Sequence, residues 1–187
     1  GMGMWALLAG FKANFKIEEN DIYIQRYHKL IMIRHASICL AIFIILLGSV
    51  EGITRTTKIV GQNESIQAAI GEASRGDLIQ VNGGIHYENI VVNKTLTLLG
   101  IGMPVIDGRG DGSTINLTAG GIVLEGFVVK SSNKSSQEQQ GIKIISNDNE
   151  IRNNIVIDSG YGIALYNSSN NTLEGNNASY NNYGIFL

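Results

Sequence analysis

The sequence predicts an all-β protein, a parallel β-helix of stacked coils of about 22 residues, closed at its N-terminal end by a short helix. Three observations carry that reading. The phrase Tyr161-Gly162-Ile163-Ala164-Leu165 returns 22 positions later as Tyr183-Gly184-Ile185-Phe186-Leu187. Gly141-Ile142 stands in the same phase, 21 positions earlier. Between these phrases lie short apolar runs punctuated by Asn and Gly, and the 48 residues from Gln140 onward hold 11 asparagines.

From the N-terminus, residues 1–31 show no period that continues into the rest, and they are expected to be an upstream extension before a true start at Met32. Residues 32–52 have a basic start at Arg34-His35, ten apolar residues from Ile38 to Leu47 and a small-residue exit. These are the parts of a secretory signal peptide. The run is short for a span of about 20 apolar residues, so cleavage ranks ahead of an uncleaved membrane anchor, and a buried helix third. The single cysteine, Cys39, lies inside this run, which leaves the remainder without a disulfide. A net charge of −2 and no Lys/Arg cluster exclude an electrostatic footprint for nucleic acid.

Residues 53–76 are expected to form the N-terminal cap. Ile66, Ala69, Ile70 and Ala73 fall on one helical face, with Asn63 or Ser65 as the start and Gly76 past the end. Coils fill residues 77–187. Their β-type runs are Leu78–Val81, Ile90–Val92, Thr95–Leu99, Val105–Ile106, Ile115–Leu117, Ile122–Leu124 and Phe127–Val129, each too short to bury a face alone. Leu124, Ile151 and Leu173 are each followed five residues on by an apolar residue, Val129, Val156 and Ala178. The first of these steps is 27 residues because Lys130 to Gln140 inserts a polar loop. Stacking in phase sets Ile163 between Ile142 and Ile185, and it places Asn over Asn at corners, where Asn also accepts the left-handed turn conformation. Glu125, Arg152 and Glu174 share a phase and predict an outward column of alternating sign.

The stretch SIQAAIGEASRGDLIQVNGGIHYENIVVNKTLTLLGIG resembles the N-terminal cap and first coils of the pectate-lyase-like, right-handed parallel β-helix superfamily. The Asn-rich tail resembles its NosD-like repeats, and together the resemblance spans roughly residues 57–187. It implies a secreted, periplasmic or cell-surface protein. Relatives in that superfamily include polysaccharide lyases, hydrolases and epimerases, sugar-binding surface proteins, and a NosD-type accessory for copper loading.

Lyases of this kind hold Ca²⁺ in a carboxylate cluster beside an Arg or Lys base, and Ca²⁺ needs six to eight oxygen ligands. Asp107, Arg109 and Asp111, in a Gly-rich loop, are the local candidates for such a catalytic set. A turn bonded to its own backbone accounts for them better. Ca²⁺ belongs to that alternative alone, and otherwise no cofactor is expected. Asp158 is matched one coil later by Tyr180, which leaves no second acid for a hydrolase. The polygalacturonase signatures are absent. The part after residue 52 holds one histidine, His86, and one imidazole is no metal site.

Tyr161, Tyr166 and Tyr183 are candidates for carbohydrate binding if they face outward, and fill a corner of the core if inward. Insertions in solenoids gather on the binding face, which points to a groove beside the loops Asp107–Thr114 and Lys130–Gln140. Seven Asn-x-Ser/Thr sequons occur, at Asn63, Asn93, Asn116, Asn133, Asn167, Asn170 and Asn177. Asn133, in its polar loop, is the preferred glycan acceptor.

The sequence stops within the repeated phrase, which is expected to mean a fragment, or else end-to-end pairing through an uncapped last coil. The reading is a secreted or cell-surface module that binds polysaccharide or serves as an envelope scaffold. The runner-up is a lyase, hydrolase or epimerase with its main residues in further coils, and a copper-maturation accessory comes third.

Overall fold

The structure, a computed structural model, describes residues 30–33, 55–131 and 139–187. The chain falls into two compact units, Gly1–Gly52 and Ile53–Leu187. Of the first unit, residues 30–33 are described, in a helical turn. The expected extension and signal segment otherwise lie outside the described residues.

The second unit is a stack of short parallel strands in three sheets, all paired between successive coils. The first sheet holds β1 (Thr57–Val60), β2 (Leu78–Asn82), β5 (Thr97–Ile101), β8 (Val123–Glu125), β11 (Glu150–Arg152) and β14 (Thr172–Glu174). The second holds β3 (Ile85–His86), β6 (Val105–Asp107), β9 (Val128–Lys130) and β12 (Ile155–Ile157). The third holds β4 (Ile90–Val92), β7 (Ile115–Leu117), β10 (Gln140–Ile144), β13 (Tyr161–Leu165) and β15 (Tyr183–Phe186). Each coil visits the sheets in that order. This is the β-helix the repeat predicts.

The register matches the phase of the sequence. Leu124, Ile151 and Leu173 pair in the first sheet, and Ile142, Ile163 and Ile185 in the third. Ile79, Leu98, Leu124 and Ile151 are fully buried, as are Ile90, Ile115, Ile142 and Ile163. Like side chains therefore stack as columns, each coil burying its face against its neighbours. Glu125, Arg152 and Glu174 stand in register, and Arg152 pairs at 3.3 Å with Glu125 of that column and with Glu150 of its own strand.

The asparagines hold the corners. Asn149 accepts from the Ile122 amide at 3.0 Å and donates to the Asn171 side chain at 2.8 Å. Asn154 accepts from Phe127 N, donates to Leu124 O and donates again to Asn176 Oδ1. At the third corner Asn181 accepts from Ser159 N and donates to Val156 O. Each side chain reaches back one coil, and its oxygen satisfies a corner amide, that of Ile122, Phe127 or Ser159.

The cap helix α1 (Ile66–Glu72) starts at Ser65, whose hydroxyl accepts from Ala68 N. Ile66 and Ile70 are fully buried against the coils. The next coil secures both ends. Glu88 accepts from Ile66 N, Gln67 N and the Ser65 hydroxyl, while Lys94 donates to the carbonyls of Ile70, Gly71 and Ala73. An acid at the start and a cation at the end of a helix complement its dipole. Asp77 ties the cap to the chain before it, accepting from Thr56 N at 2.9 Å and Ser74 N at 2.8 Å. Those backbone bonds, Thr56 first, hold its carboxyl below the ordinary carboxylate range against the opposing effect of burial.

Candidate functional site

The corner between the second and third sheets is where coils depart most from the repeat. The loop 108–114 and the ends of the loop 131–139 meet there. Gly108 N donates to Lys130 O, and the Thr114 hydroxyl donates to the same carbonyl. Asn89 Nδ2, one coil earlier, donates to Asp111 O and Ser113 O. Ser113 Oγ donates to Gln140 Oε1 at 2.6 Å. The loop 108–114 and the residues that flank the second polar loop, Lys130 and Gln140, are thus neighbours on one edge of the solenoid. Asn133 lies outside the described residues.

Within this corner Asp107, Arg109 and Asp111 take separate parts. Asp107 is buried, accepts from Arg109 N at 2.9 Å, and its carboxylate lies 3.5 Å from Lys130 Nζ. Arg109 adopts a left-handed φ of 51° and sends its guanidinium over the Tyr87 ring, 4.0 Å from the centroid. Asp111 is exposed and contributes its carbonyl to Asn89. The acid nearest the arginine holds its own turn, and the arginine is stacked on an aromatic face.

The tyrosines settle beside that corner, on the outer face of the third sheet. The reason lies at Gly141 and Gly162. A Cβ at Gly141 would lie against the core residue Val156 and 2.9 Å from Gly162 O. At Gly162 it would meet Gly184 O and Asn181 Nδ2, both at 2.6 Å. Glycine is therefore required where the chain turns into the strand with its α-carbon facing in. Gly141 and Ile142 both face the core, alternation breaks, and the residue before each glycine faces out. Tyr161 and Tyr183, in register, stack at 4.9 Å with planes 19° apart.

Phe186 joins them, 5.1 Å from Tyr161 and 5.7 Å from Tyr166 and tilted to both. Lys143 lies 5.6 Å from the Tyr166 centroid, and Gln140 Nε2 donates to the Tyr166 hydroxyl at 3.4 Å. Lys143, Ala164 and Phe186 form one outward column. Ala164 is nevertheless fully buried, because the surrounding rings roof it. Tyr161 and Tyr183 stack along the coil axis and present edges and hydroxyls, while tilted Phe186, 40% exposed, offers an apolar face. Ring faces take the C–H side of a sugar and hydroxyls bond its rim, and Lys143 can pair with an acidic group.

Sequence reasoning named the three tyrosines and missed Phe186, Lys143 and Tyr87. The signal for the first two was present. Phe186 and Lys143 share the phase of Ala164, so the period that aligned the tyrosines also aligned them.

For a metal, the described residues fit poorly. His86 is buried beneath the cap, its Nδ1 3.2 Å from Glu64 O and its Nε2 without a partner. Glu88 beside it is spent on the helix. Among the described residues no three His, Cys, Asp or Glu side chains converge. His28, His35 and Cys39 lie outside them. No helix among the described residues is long and apolar enough to cross a membrane.

Stacked coils, Asn-bonded corners and an N-terminal cap define the class: a parallel β-helix protein with an aromatic outer face. The model of the family described as "Periplasmic copper-binding protein (NosD)" matches residues 52–187, and the chain belongs to that family. Among characterised proteins it is similar to a "Cell surface glycoprotein" of Methanothermus fervidus, 34% identical over 98 residues. That match covers 48% of this chain and 16% of the relative. No solved structure matches.

Proposed function

We propose that the chain is a cell-surface β-helix module that binds an envelope polysaccharide along the corner and outer face just described. One observation carries this reading: four aromatic rings, Tyr161, Tyr166, Tyr183 and Phe186, gather outside the barrel with Lys143 among them. Aromatic side chains on an outer face gain nothing from core packing, whereas an apolar ring with polar tips suits a ligand that is itself amphipathic. The loop 108–114 and Gln140, at the end of the second insertion, border the same face, and insertions gather on the binding side of solenoids.

The relatives support the setting. The family's printed name is periplasmic and that of the archaeal relative is cell surface, and we place this chain in the same kind of location. The family name also speaks of copper, but the described donor set gives that role no support. Binding of the full chain to an array of neutral and uronate-containing polysaccharides, read beside a reducing-end assay, tests the proposal. Retention of one polysaccharide class without new reducing ends supports it. New reducing ends, or unsaturated products, would make the chain an enzyme and set the proposal aside.

A further inference from the structure

We infer that the loop Asn167 to Thr172 is an acceptor for N-linked glycan, at Asn167 and Asn170, and that the folded chain shields other sequons from modification. A sequon offers two groups to a transferase, the asparagine amide and the hydroxyl two residues on. The fold commits the hydroxyl at three of the six described sequons.

At Asn63 the hydroxyl belongs to Ser65, which caps α1 and donates to Glu88. At Asn93 it belongs to Thr95, which donates to Gly120 O and accepts from Arg75. At Asn116 the side-chain oxygen is buried and the Thr118 hydroxyl donates to Val92 O. At Asn177 only the side-chain oxygen is bonded, accepting from Ser179 N, so the fold does not commit that sequon's nitrogen or hydroxyl. Freeing the hydroxyl of Ser65, Thr95 or Thr118 breaks a cap or a corner.

The remaining two sequons adjoin in one corner, between the end of β13 and Thr172, the first residue of β14. Asn167, Ser169, Asn170 and Thr172 are all exposed. The side chains of these four residues make no hydrogen bond within the described structure. Their backbone carries the corner instead: Ser169 N donates to Asn147 Oδ1 and Thr172 N to Asn149 O. Asn167 and Asn170 have left-handed φ values of 47° and 55°, so the turn holds them through the backbone alone. The side chain of Asn171, between the two sequons, points the other way, into the ladder with Asn149.

The reaction has a defined balance. The asparagine amide nitrogen attacks the anomeric carbon of an oligosaccharide carried on a polyprenyl diphosphate. An N–C bond forms, the C–O bond to phosphate breaks, the diphosphate lipid leaves and the amide gives up one proton. The co-substrate is that lipid-linked sugar, and no oxidant or metal of this chain takes part.

The test uses the folded full chain, a single-subunit oligosaccharyltransferase and a polyprenyl-diphosphate-linked oligosaccharide, with occupancy read by peptide mass mapping. Synthetic peptides spanning each of the six described sequons serve as unfolded acceptors. The expected result is transfer to Asn167 or Asn170 in the folded chain, at least tenfold above Asn63, Asn93 and Asn116, while the peptides differ far less. Ser169→Ala removes occupancy at Asn167 and Thr172→Ala that at Asn170, each leaving the melting temperature unchanged. The inference is overturned if the folded chain stays unmodified in this loop, if its peptides accept no sugar, or if the three committed sequons are modified equally. Glycan binding by the aromatic face is a separate measurement, and its failure leaves this one standing.

Discussion

Single residues do two kinds of work in this fold, filling columns and closing corners, and the corner residues are the less forgiving. Asn154 is fully buried and joins three coils through Phe127 N, Leu124 O and Asn176. Asn154→Ala leaves the buried Phe127 N–H unpaired, at about 1–3 kcal/mol, and removes the bonds to Leu124 O and Asn176, so a loss of about 2 kcal/mol is expected from urea unfolding. Asp77 acts through its charge. Its folded value is depressed, so its contribution is complete above the ordinary carboxylate range and is lost as pH falls through that lower value. Asn in its place offers one acceptor instead of two. The melting temperature of Asp77→Asn is therefore expected below wild type at pH 7, the gap closing below about pH 4; an unchanged gap at pH 2.5 would refute this account. The residue scale also shows what sequence can convey. Ile163 and Asn171 were legible because each stands one coil from its like, whereas the outward turn of Tyr161 depends on broken alternation at Gly162, which no periodicity announces.

At the scale of elements, the cap helix is too short to hold itself together, since a seven-residue helix falls well below the length of about 12–15 at which isolated helices become marginal. Its stability comes from Ile66 and Ile70 beneath it and from two charges one coil on. Lys94 donates to three of its last carbonyls, and charge-assisted bonds of this kind contribute about 1.5–3 kcal/mol. Lys94→Met keeps the aliphatic stem and is expected to cost about 2 kcal/mol, with faster hydrogen exchange confined to residues 66–73. Exchange that quickens throughout the coils instead would mean the helix is no separate element. The helix itself was readable from its apolar face, but Glu88 and Lys94 were not. Each occurs once, more than 20 residues from what it binds, in a short link between the runs that read as strands. The strands β1 and β3 were missed for a related reason: Thr57–Val60 and Ile85–His86 are too short or too mixed to show alternation, and only pairing with β2 and β6 defines them.

Across the whole molecule, the repeat makes one outer face continuous. Coils stacked about 4.8 Å apart bring Tyr161 over Tyr183 and place Phe186 and Lys143 beside Tyr166, so that residues more than 40 positions apart in sequence form one surface. Membership of the NosD family describes the scaffold, and the account of its use rests on this face. The direct measurement is affinity electrophoresis of the full chain beside its Tyr166→Ser/Phe186→Ser variant, in native gels cast with the polysaccharide that retains wild type. Both substitutions lie on the outer face, so a matched melting curve will confirm that the variant is folded. Retardation of wild type and at least a tenfold weaker apparent affinity for the variant are expected. Equal retardation of the two, or free migration of folded wild type through every polysaccharide in the panel, would contradict it.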